Sequence, residues 1–184
     1  MSLSKQDSDF WRWVVLGGVK TNWVICREGC LIRPDGRYAS NNGHCLGYLA
    51  NGFNKLTRKR HRLVATAFVV NPRPDIFKDV DHIDGNIKNN NASNLRWVNK
   101  RINMLNKTSK SRCMYHGKFA ASIGFMKGIN SLGTYRTEQE CLRVCDYTRK
   151  SVCVALYHYH TRPNTFLTPD KWVITPNKVR VCRI

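Results

Sequence analysis

Short apolar runs separated by turn residues dominate the first part of the chain. The stretch WVICREGCLIRPDGRY places Pro34-Asp35-Gly36 between two such runs, and Asn41-Asn42-Gly43 and Asn51-Gly52 predict two further turns. We therefore expect a β-rich N-terminal segment over residues 1–60. The apolar residues 63–68 that follow predict a short buried helix or strand, and periodicity alone does not distinguish the two.

A different order of elements is predicted for residues 79–107. Val80 to Ile83 predicts a strand, and residues 84–93 predict a long polar loop that begins with an Asp84-Gly85 turn. Leu95 to Val98 predicts a second short strand. Asn99 is a favourable N-cap for a short helix over KRINMLN. The predicted order is strand, loop, strand, helix.

The pattern changes again over residues 112–166. KFAASIGF alternates, residues 127–130 predict a turn, and SLGTY predicts a second strand. Thr137 to Glu140 forms a capping box, so we expect a helix running toward Tyr157. The residues expected to face the sheet are Phe119, Ala121, Ile123 and Phe125 from the strand and Leu142, Cys145, Val152, Cys153 and Leu156 from the helix. The tail predicts a hairpin, giving four parts: 1–60, 61–108, 109–166 and 167–184.

Charge narrows the choice of partner. The chain has 31 Lys and Arg against 12 Asp and Glu, a formal net charge of +19. Such an excess favours a polyanion, with nucleic acid ahead of an anionic membrane surface, because no basic amphipathic helix stands out. No apolar run reaches about 18 residues, so no membrane span is expected. No secretory signal is recognisable, which favours an intracellular protein, in cytoplasm or nucleus depending on the host.

The cysteines and acids bear on metal binding. The eight cysteines include no CxxC pair, so we expect reduced thiols and no structural zinc, and Cys141 and Cys145 are expected to pack on one helix face. Between Gly36 and Thr137 there are 18 Lys and Arg but only four acids, which are Asp75, Asp79, Asp81 and Asp84. Acids clustered within a basic field suit a hard-metal site on a phosphate-binding surface. Turn roles for Asp75 and Asp84 are the competing explanation.

Asp81, His82 and Asn103 supply the parts that phosphodiester hydrolysis needs. Imidazole is the natural base near neutral pH, and carboxylate and amide oxygens are hard metal ligands. A structural role for His82, and turn or cap roles for the asparagines, remain alternatives. Neighbours on a regular strand point to opposite faces, so Asp81 and His82 can serve one phosphate only if the strand ends or bends there.

Residues 61–106 resemble the HNH nuclease family, especially the homing endonucleases of phage introns. The resemblance rests on HRLVATAF, VDHIDGNIKNNNASNLRWV and the following KRIN. It implies a ββα-metal fold with His82 as general base. It also implies that Asp81 and Asn103 hold one divalent metal, Mg²⁺ or alternatively Mn²⁺, and that Asn94 holds the shape of the loop. His61 would be structural or DNA-facing, and the products would carry a 3′-hydroxyl and a 5′-phosphate.

The later segment GKFAASIGFMKGINSLGTYRTEQECLRVCDY, continuing to TRPNTF, resembles the Apetala-type DNA-binding domain. The resemblance implies a three-stranded antiparallel sheet on one helix, with the sheet in the major groove. The candidate DNA contacts in it are His116, Lys118, Ser122, Lys127 and Arg136. Basic residues before and between the two segments are expected phosphate contacts: Arg58, Lys59, Arg60, Arg96, Lys100 and Arg101.

Together these features predict an α+β protein: a β-rich segment, a ββα-metal nuclease core, and a sheet-plus-helix DNA-binding module. The expected function is a metal-dependent endonuclease that acts on double-stranded DNA as a monomer. A phage, a virus or a mobile intron would encode it. A non-cleaving DNA-binding regulator derived from a nuclease is the first alternative, and an RNA-binding protein is the second.

Overall fold

The computed structural model describes residues 7–41, 43–53, 56–107, 113–115, 118–125, 128–162, 169, 172–175 and 178–180. The chain divides into two compact units, Met1–Val98 and Asn99–Ile184. Each unit combines small antiparallel sheets with helices. None of the helices in the described ranges is long and apolar enough to cross a membrane. The four-part division of the chain stays a prediction.

The first unit begins with a short helix and two three-stranded antiparallel sheets. Helix α1 is Asp7–Phe10; the first sheet holds β1 (Trp11–Leu16), β2 (Val19–Cys26) and β3 (Leu31–Ile32), and the second holds β4 (His44–Cys45), β5 (Tyr48–Phe53) and β6 (Leu56–Lys59). The turn predicted at Asn51-Gly52 is wrong. Both residues lie inside β5, opposite Arg58 and Thr57. Tertiary context overrides their turn preference, because the Asn51 side chain accepts hydrogen bonds from Arg60.

The ambiguous apolar stretch is a helix, α2, spanning Arg60–Phe68. His61, Val64, Ala65 and Phe68 repeat at helical spacing and form its inward face, with Phe68 partly buried. That face belongs to the core of the unit, which also contains Ile25, Leu31, Phe53 and Leu95 from the strands. The helix therefore fixes the position of His61 relative to the rest of the core.

Two strands and a long loop complete the first unit. Strand β7 (Asp79–His82) pairs with β8 (Leu95–Val98), which has the predicted bounds, whereas β7 begins and ends one residue earlier than predicted. The loop between them ends in a 3₁₀ turn at Ala92–Asn94. A backbone hydrogen bond of 2.8 Å from the Ile83 N–H to the Asn94 carbonyl closes the loop at its base.

The second unit starts with α3 (Lys100–Asn106). The Asn99 side chain accepts from the Ile102 N–H at 2.9 Å, so the predicted N-cap is observed. The remaining elements are the sheet β9 (Cys113–Tyr115), β10 (Lys118–Phe125) and β11 (Gly128–Tyr135), the helix α4 (Glu138–Thr161) and the hairpin β12 (Val173–Thr175) and β13 (Lys178–Arg180). Residues 128–130 pair within β11, so the turn predicted over 127–130 is too long.

Helix α4 packs on the sheet of the second unit through one apolar face. Ala121 and Ile123 from β10 and Leu132 from β11 are buried, as are both Cys141 and Cys145. Thr137 caps the helix by accepting from the Glu140 N–H at 3.2 Å. Leu142 was expected to be buried but is only half-buried, because the inward positions of that turn belong to Cys141, Val144 and Cys145.

Candidate active site

His82 is the last residue of β7 and lies almost completely buried, with 4% of its surface exposed. Its Nε2 is 3.1 Å from the Oδ1 of Asn90, which is in the loop between β7 and β8. An amide oxygen can only accept a hydrogen bond, so this contact places the ring hydrogen on Nε2. In the neutral ring Nδ1 then carries the lone pair, which is what a general base needs.

Asn90 is itself held by the turn between β2 and β3. Gly29 has a φ of +90°, and a Cβ atom at this position would lie 2.9 Å from the Cβ of Asn90. Glycine is therefore required here both by its backbone conformation and by the close approach. The Ala92 N–H also donates to the Arg27 carbonyl at 2.7 Å, so a hydrogen bond joins the turn and the loop two residues after Asn90.

His61 packs against the ring of His82. The two ring centroids are 4.9 Å apart, and the Tyr48 ring lies 4.9 Å from His61 and 6.0 Å from His82. Nδ1 of His61 is buried and has no hydrogen-bond partner within the described part of the chain. Burial lowers the pKa of His61 to about 3, assisted by electrostatic interactions with His82, Arg62 and Lys59 that disfavour a charged His61 ring. At physiological pH the His61 ring is therefore uncharged, and it packs against the ring of His82.

Asp81 precedes His82 on β7 and has a different partner. Arg96, directly opposite on β8, donates from Nε at 3.1 Å and from Nη2 at 2.9 Å to the Asp81 Oδ2. Both side chains are largely buried. The cross-strand register places the guanidinium of Arg96 on the carboxylate of Asp81. The expected contact of Arg96 with phosphate stays a prediction.

The four acids of the central segment do not form a cluster. Asp75 pairs with Arg73 and Asp79 with Arg62, both at exposed positions. Asp84 accepts instead from loop amides, and these bonds, led by the one from Asn89, lower its pKa. No group of three His, Cys, Asp or Glu side chains suited to a metal occurs in the described ranges. Each of the four carboxylates therefore has its own arginine or amide partners.

The Asn94 side chain forms hydrogen bonds with other residues of the loop between β7 and β8. Its Nδ2 donates to the Asp84 carboxylate and to the Asn89 carbonyl, each at 2.9 Å, while its Oδ1 accepts from the Asp84 N–H at 3.1 Å. The side chain is buried. Asn94 thus sets the path of the chain immediately after His82, although it makes no described contact with the ring of His82.

Asn103, the second expected metal ligand, lies on α3 in the second unit. Its side chain is half-buried, and its N–H donates to the Asn99 carbonyl at 3.1 Å in the first turn of the helix. Asp81, the first expected metal ligand, belongs to the first unit. Their common role in metal binding stays a prediction.

The expected DNA contacts occupy three kinds of position. The exposed ones are Arg58, Lys100, Arg101, Ser122 and Arg136. Lys59 is half-buried, with its Nζ 4.3 Å from the centroid of the Tyr48 ring. Arg60 is only 2% exposed, and its expected contact with phosphate stays a prediction. Lys118 begins β10, while His116 and Lys127 lie outside the described residues.

Two residues of the site were not identified from the sequence, Asn90 and Tyr48. Asn90 stands in the run Asn89-Asn90-Asn91, and nothing in that run distinguishes the residue that faces His82. Tyr48 is distant in sequence and reaches the site only because β5 lies next to α2. Tyr48 lies outside residues 80–103, so the motif in that segment does not point to it.

One family model matches the segment that contains this site. Residues 58–105 match the family model described as HNH endonuclease. The matched segment contains His61, Asp81, His82, Asn94 and Asn103. This segment, which carries the candidate site, is therefore similar to an HNH endonuclease domain.

Proteins of one virus and one phage are similar to this chain. Two are uncharacterized HNH endonucleases of Acanthamoeba polyphaga mimivirus: L245 is 32% identical over 106 residues, covering 54% of this chain and 32% of the relative, and L247 is 47% identical over 108 residues, covering 56% and 27%. DNA endonuclease I-HmuI of Bacillus phage SP01 is 42% identical over 67 residues, covering 36% and 37%. The chain thus spans between 27% and 37% of the length of these curated relatives.

One solved structure is also similar, that of DNA binding and cleavage by the HNH homing endonuclease I-HmuI. It shares 28% identity and covers 51% of this chain and 55% of that chain, with a TM-score of 0.42.

Proposed function

We propose that this protein is a metal-dependent DNA endonuclease of the HNH type that hydrolyses phosphodiester bonds in double-stranded DNA. The observation that carries the proposal is the contact of 3.1 Å between His82 Nε2 and Asn90 Oδ1. It holds one ring nitrogen as a donor and leaves the other as a base, in a segment that matches the HNH endonuclease model. The viral and phage relatives favour a mobile-element or homing role.

In the proposed reaction His82 Nδ1 takes a proton from a water molecule. The water oxygen attacks phosphorus, the bond between phosphorus and O3′ breaks, and the leaving O3′ takes a proton from solvent. The products carry a 3′-hydroxyl and a 5′-phosphate. Asn90 keeps the ring in the required tautomer, and His61 and Tyr48 restrict its orientation through ring contacts.

The donor set fits a hard divalent cation. Asp81 offers a largely buried carboxylate and Asn103 an amide oxygen, and both are hard oxygen ligands. Asp81 and Asn103 would hold the ion, with Mg²⁺ or Mn²⁺ the expected metals. Bound there, the ion would supply positive charge to the scissile phosphate and the leaving oxygen.

The second unit is proposed to bind the DNA duplex. The proposal is supported by the three-stranded sheet of β9, β10 and β11 packed against α4, which is the arrangement expected from the resemblance to an Apetala-type domain. Ser122 on β10 and Arg136 after β11 are exposed and would contact the DNA from this sheet. The net charge of +19 supports a polyanionic partner. A monomer that combines one nuclease core with one DNA-binding module is the simplest arrangement.

A DNA-binding protein that does not cleave is the second candidate. The ion pair between Asp81 and Arg96 favours it, because a positive side chain already neutralises the carboxylate that a metal would need. In that case the protein would bind duplex DNA with the same surface but leave the phosphodiester bond intact, in the presence or absence of divalent metals.

Incubation with supercoiled plasmid in Mg²⁺ or Mn²⁺ distinguishes the two candidates. We expect the wild type to convert the plasmid to open-circle or linear form, and His82→Ala and samples with EDTA to leave it supercoiled. His158→Ala, in the last turn of α4, is the matched control and should cleave normally. Retarded plasmid migration without cleavage, across several metals and several plasmid sequences, would support the non-cleaving protein instead.

A further inference from the structure

A polar cavity of about 300 Å³ lies in the first unit, beside the loop that carries Asn90. The residues that determine its chemistry are Arg60 and Asn90, which are buried, and Glu28, Tyr38, Asn41 and Lys88, which are exposed. The cavity is separate from the ring contacts of His82, but the two share Asn90. One face of Asn90 lines the cavity, and its Oδ1 holds His82.

The buried cation at this cavity has no acidic partner among the described residues. Arg60 donates to the Asn51 Oδ1 from Nε at 3.0 Å and from Nη2 at 2.7 Å, to the Asn41 Oδ1 at 2.6 Å, and to the Ser40 carbonyl at 3.1 Å. All of these acceptors are neutral. Buried charges are ordinarily paired with an opposite charge, and burial lowers the pKa of Arg60 accordingly. Four bonds leave one of the five guanidinium hydrogens for a ligand.

The start of α2 adds to the positive potential. Arg60 is the first residue of the helix, the N-cap Lys59 gives no side-chain hydrogen bond, and the first turn contains no acid. The positive end of the helix dipole is therefore uncompensated by its own sequence. With Lys88 at the rim the cavity has two cationic side chains against one acid, Glu28. The lining favours an anion.

We propose that this cavity binds one phosphodiester group of the DNA strand, adjacent to the phosphate that is cleaved. The proposal rests on the proposed function and specifies where the strand runs. Arg60 supplies the buried charge, Lys88 supplies an exposed charge, and Asn90 connects the occupied cavity to His82. A bound phosphate would thus restrict Asn90 at the same time as it positions the strand. Arg60, which is among the phosphate contacts expected from the sequence, would act here as a buried residue that lines the cavity.

The salt dependence of binding to duplex DNA tests this site without relying on cleavage. Affinity is measured in EDTA over a range of salt concentrations for the wild type, Lys88→Ala, Glu28→Gln and the control Lys78→Ala. Lys78 is exposed and lies outside the cavity. Losing one phosphate contact should reduce the slope of log affinity against log salt by about one. We expect that reduction for Lys88→Ala, tighter binding for Glu28→Gln, and wild-type behaviour for Lys78→Ala.

Wild-type slopes and affinities for both cavity variants would overturn the proposal. Arg60→Gln is a further variant, used only if its thermal unfolding shows that it folds; it should weaken binding of inorganic phosphate as well as of DNA. The plasmid experiment with His82→Ala is independent of these measurements. Cleavage together with unaltered cavity variants would reject the cavity alone, whereas altered cavity variants without cleavage would reject the nuclease function and retain the phosphate site.

Discussion

The side chains of His82 and Asn90 form a hydrogen bond of 3.1 Å between a ring nitrogen and an amide oxygen, both almost completely buried. The partner is an amide and not a carboxylate, so it selects the tautomer of His82 without adding negative charge beside the ring. Asn90 is in turn restrained by the close approach of Gly29. The orientation of His82 therefore depends on the β2–β3 turn as well as on its own strand.

Replacing Asn90 by alanine should slow cleavage more than it weakens DNA binding. Loss of the acceptor frees the ring of His82 to adopt the wrong tautomer or rotamer, and loss of a supporting hydrogen bond of this kind typically costs about 10- to 100-fold in activity. Rates of plasmid cleavage at saturating protein would measure this effect. Asn22→Ala, an exposed asparagine on β2, should leave the rate unchanged. A normal rate for Asn90→Ala would show that the orientation of His82 has another source.

His61 should make the protein less stable as the pH falls. Its pKa is about 3 in the folded chain against an ordinary value of 6.5. Between these values the unfolded chain binds a proton that the folded chain does not, so falling pH favours unfolding. The free energy of unfolding should decrease by up to about 1.4 kcal/mol per pH unit from this group within that window, and not further below it.

Urea unfolding at several pH values measures this dependence. His61→Phe keeps an aromatic ring against Tyr48 and His82 but cannot bind a proton, so its stability should fall less steeply with pH than that of the wild type. Thr66→Ala, on the exposed side of α2, should keep the wild-type slope. Equal slopes for His61→Phe and the wild type would mean that the pKa of His61 in the folded chain is close to its ordinary value.

Removing Arg96 should destabilise the protein in a way that divalent metal offsets. Arg96→Met leaves the buried carboxylate of Asp81 without this cation, and breaking a buried ion pair costs about 3–5 kcal/mol. If Asp81 is a metal ligand, Mg²⁺ or Mn²⁺ replaces the missing positive charge. Thermal unfolding with and without metal should therefore show a larger increase in Tm for Arg96→Met than for the wild type.

The matched control for this experiment is Arg62→Met, which removes the exposed partner of Asp79. Its stability should change by about 1 kcal/mol or less, since exposed pairs contribute little, and metal should have no larger effect than on the wild type. Identical metal responses of all three proteins would argue against Asp81 as a ligand.

Asn94→Ala should loosen the loop between β7 and β8. The substitution removes three hydrogen bonds and leaves the Asp84 N–H and the Asn89 carbonyl without their partner. We expect a loss of about 1–3 kcal/mol in the free energy of unfolding. Amide hydrogen exchange should become faster over residues 83–92, and Ser93→Ala, at an exposed neighbouring position, should not cause this. Unchanged exchange would place the restraint of the loop elsewhere.

The local elements around the site could be predicted because their signals are contained in a few neighbouring residues. Leu95 to Val98 is a short apolar run after polar residues, and Asn99 is an N-cap whose hydrogen bond is observed. Asn51-Gly52 was misassigned because a turn preference of two residues yields to strand pairing and to the bonds from Arg60. The pattern was reliable where local preference and tertiary packing agree.

The partners of charged and amide side chains could not be predicted. Arg60 and Arg96 look alike in the sequence, yet one lies over neutral oxygens at a cavity and the other on a carboxylate across a strand pair. Asn90 faces His82 while Asn89 and Asn91 bond within the loop. Which side chain meets which depends on strand register and on segments distant in sequence, and neither can be read from composition.

The close approach of Gly29 to Asn90 limits how the segment that matches the HNH endonuclease model can be moved between proteins. Residues 58–105 match the family model, but the turn that braces Asn90 lies some 30 residues before that match begins. A chimaera that carries only the matched residues would retain His82 and lose the support behind its partner. The smallest portable unit therefore includes the β2–β3 hairpin, and changes in the length of that hairpin would alter the orientation of His82 while leaving the motif intact.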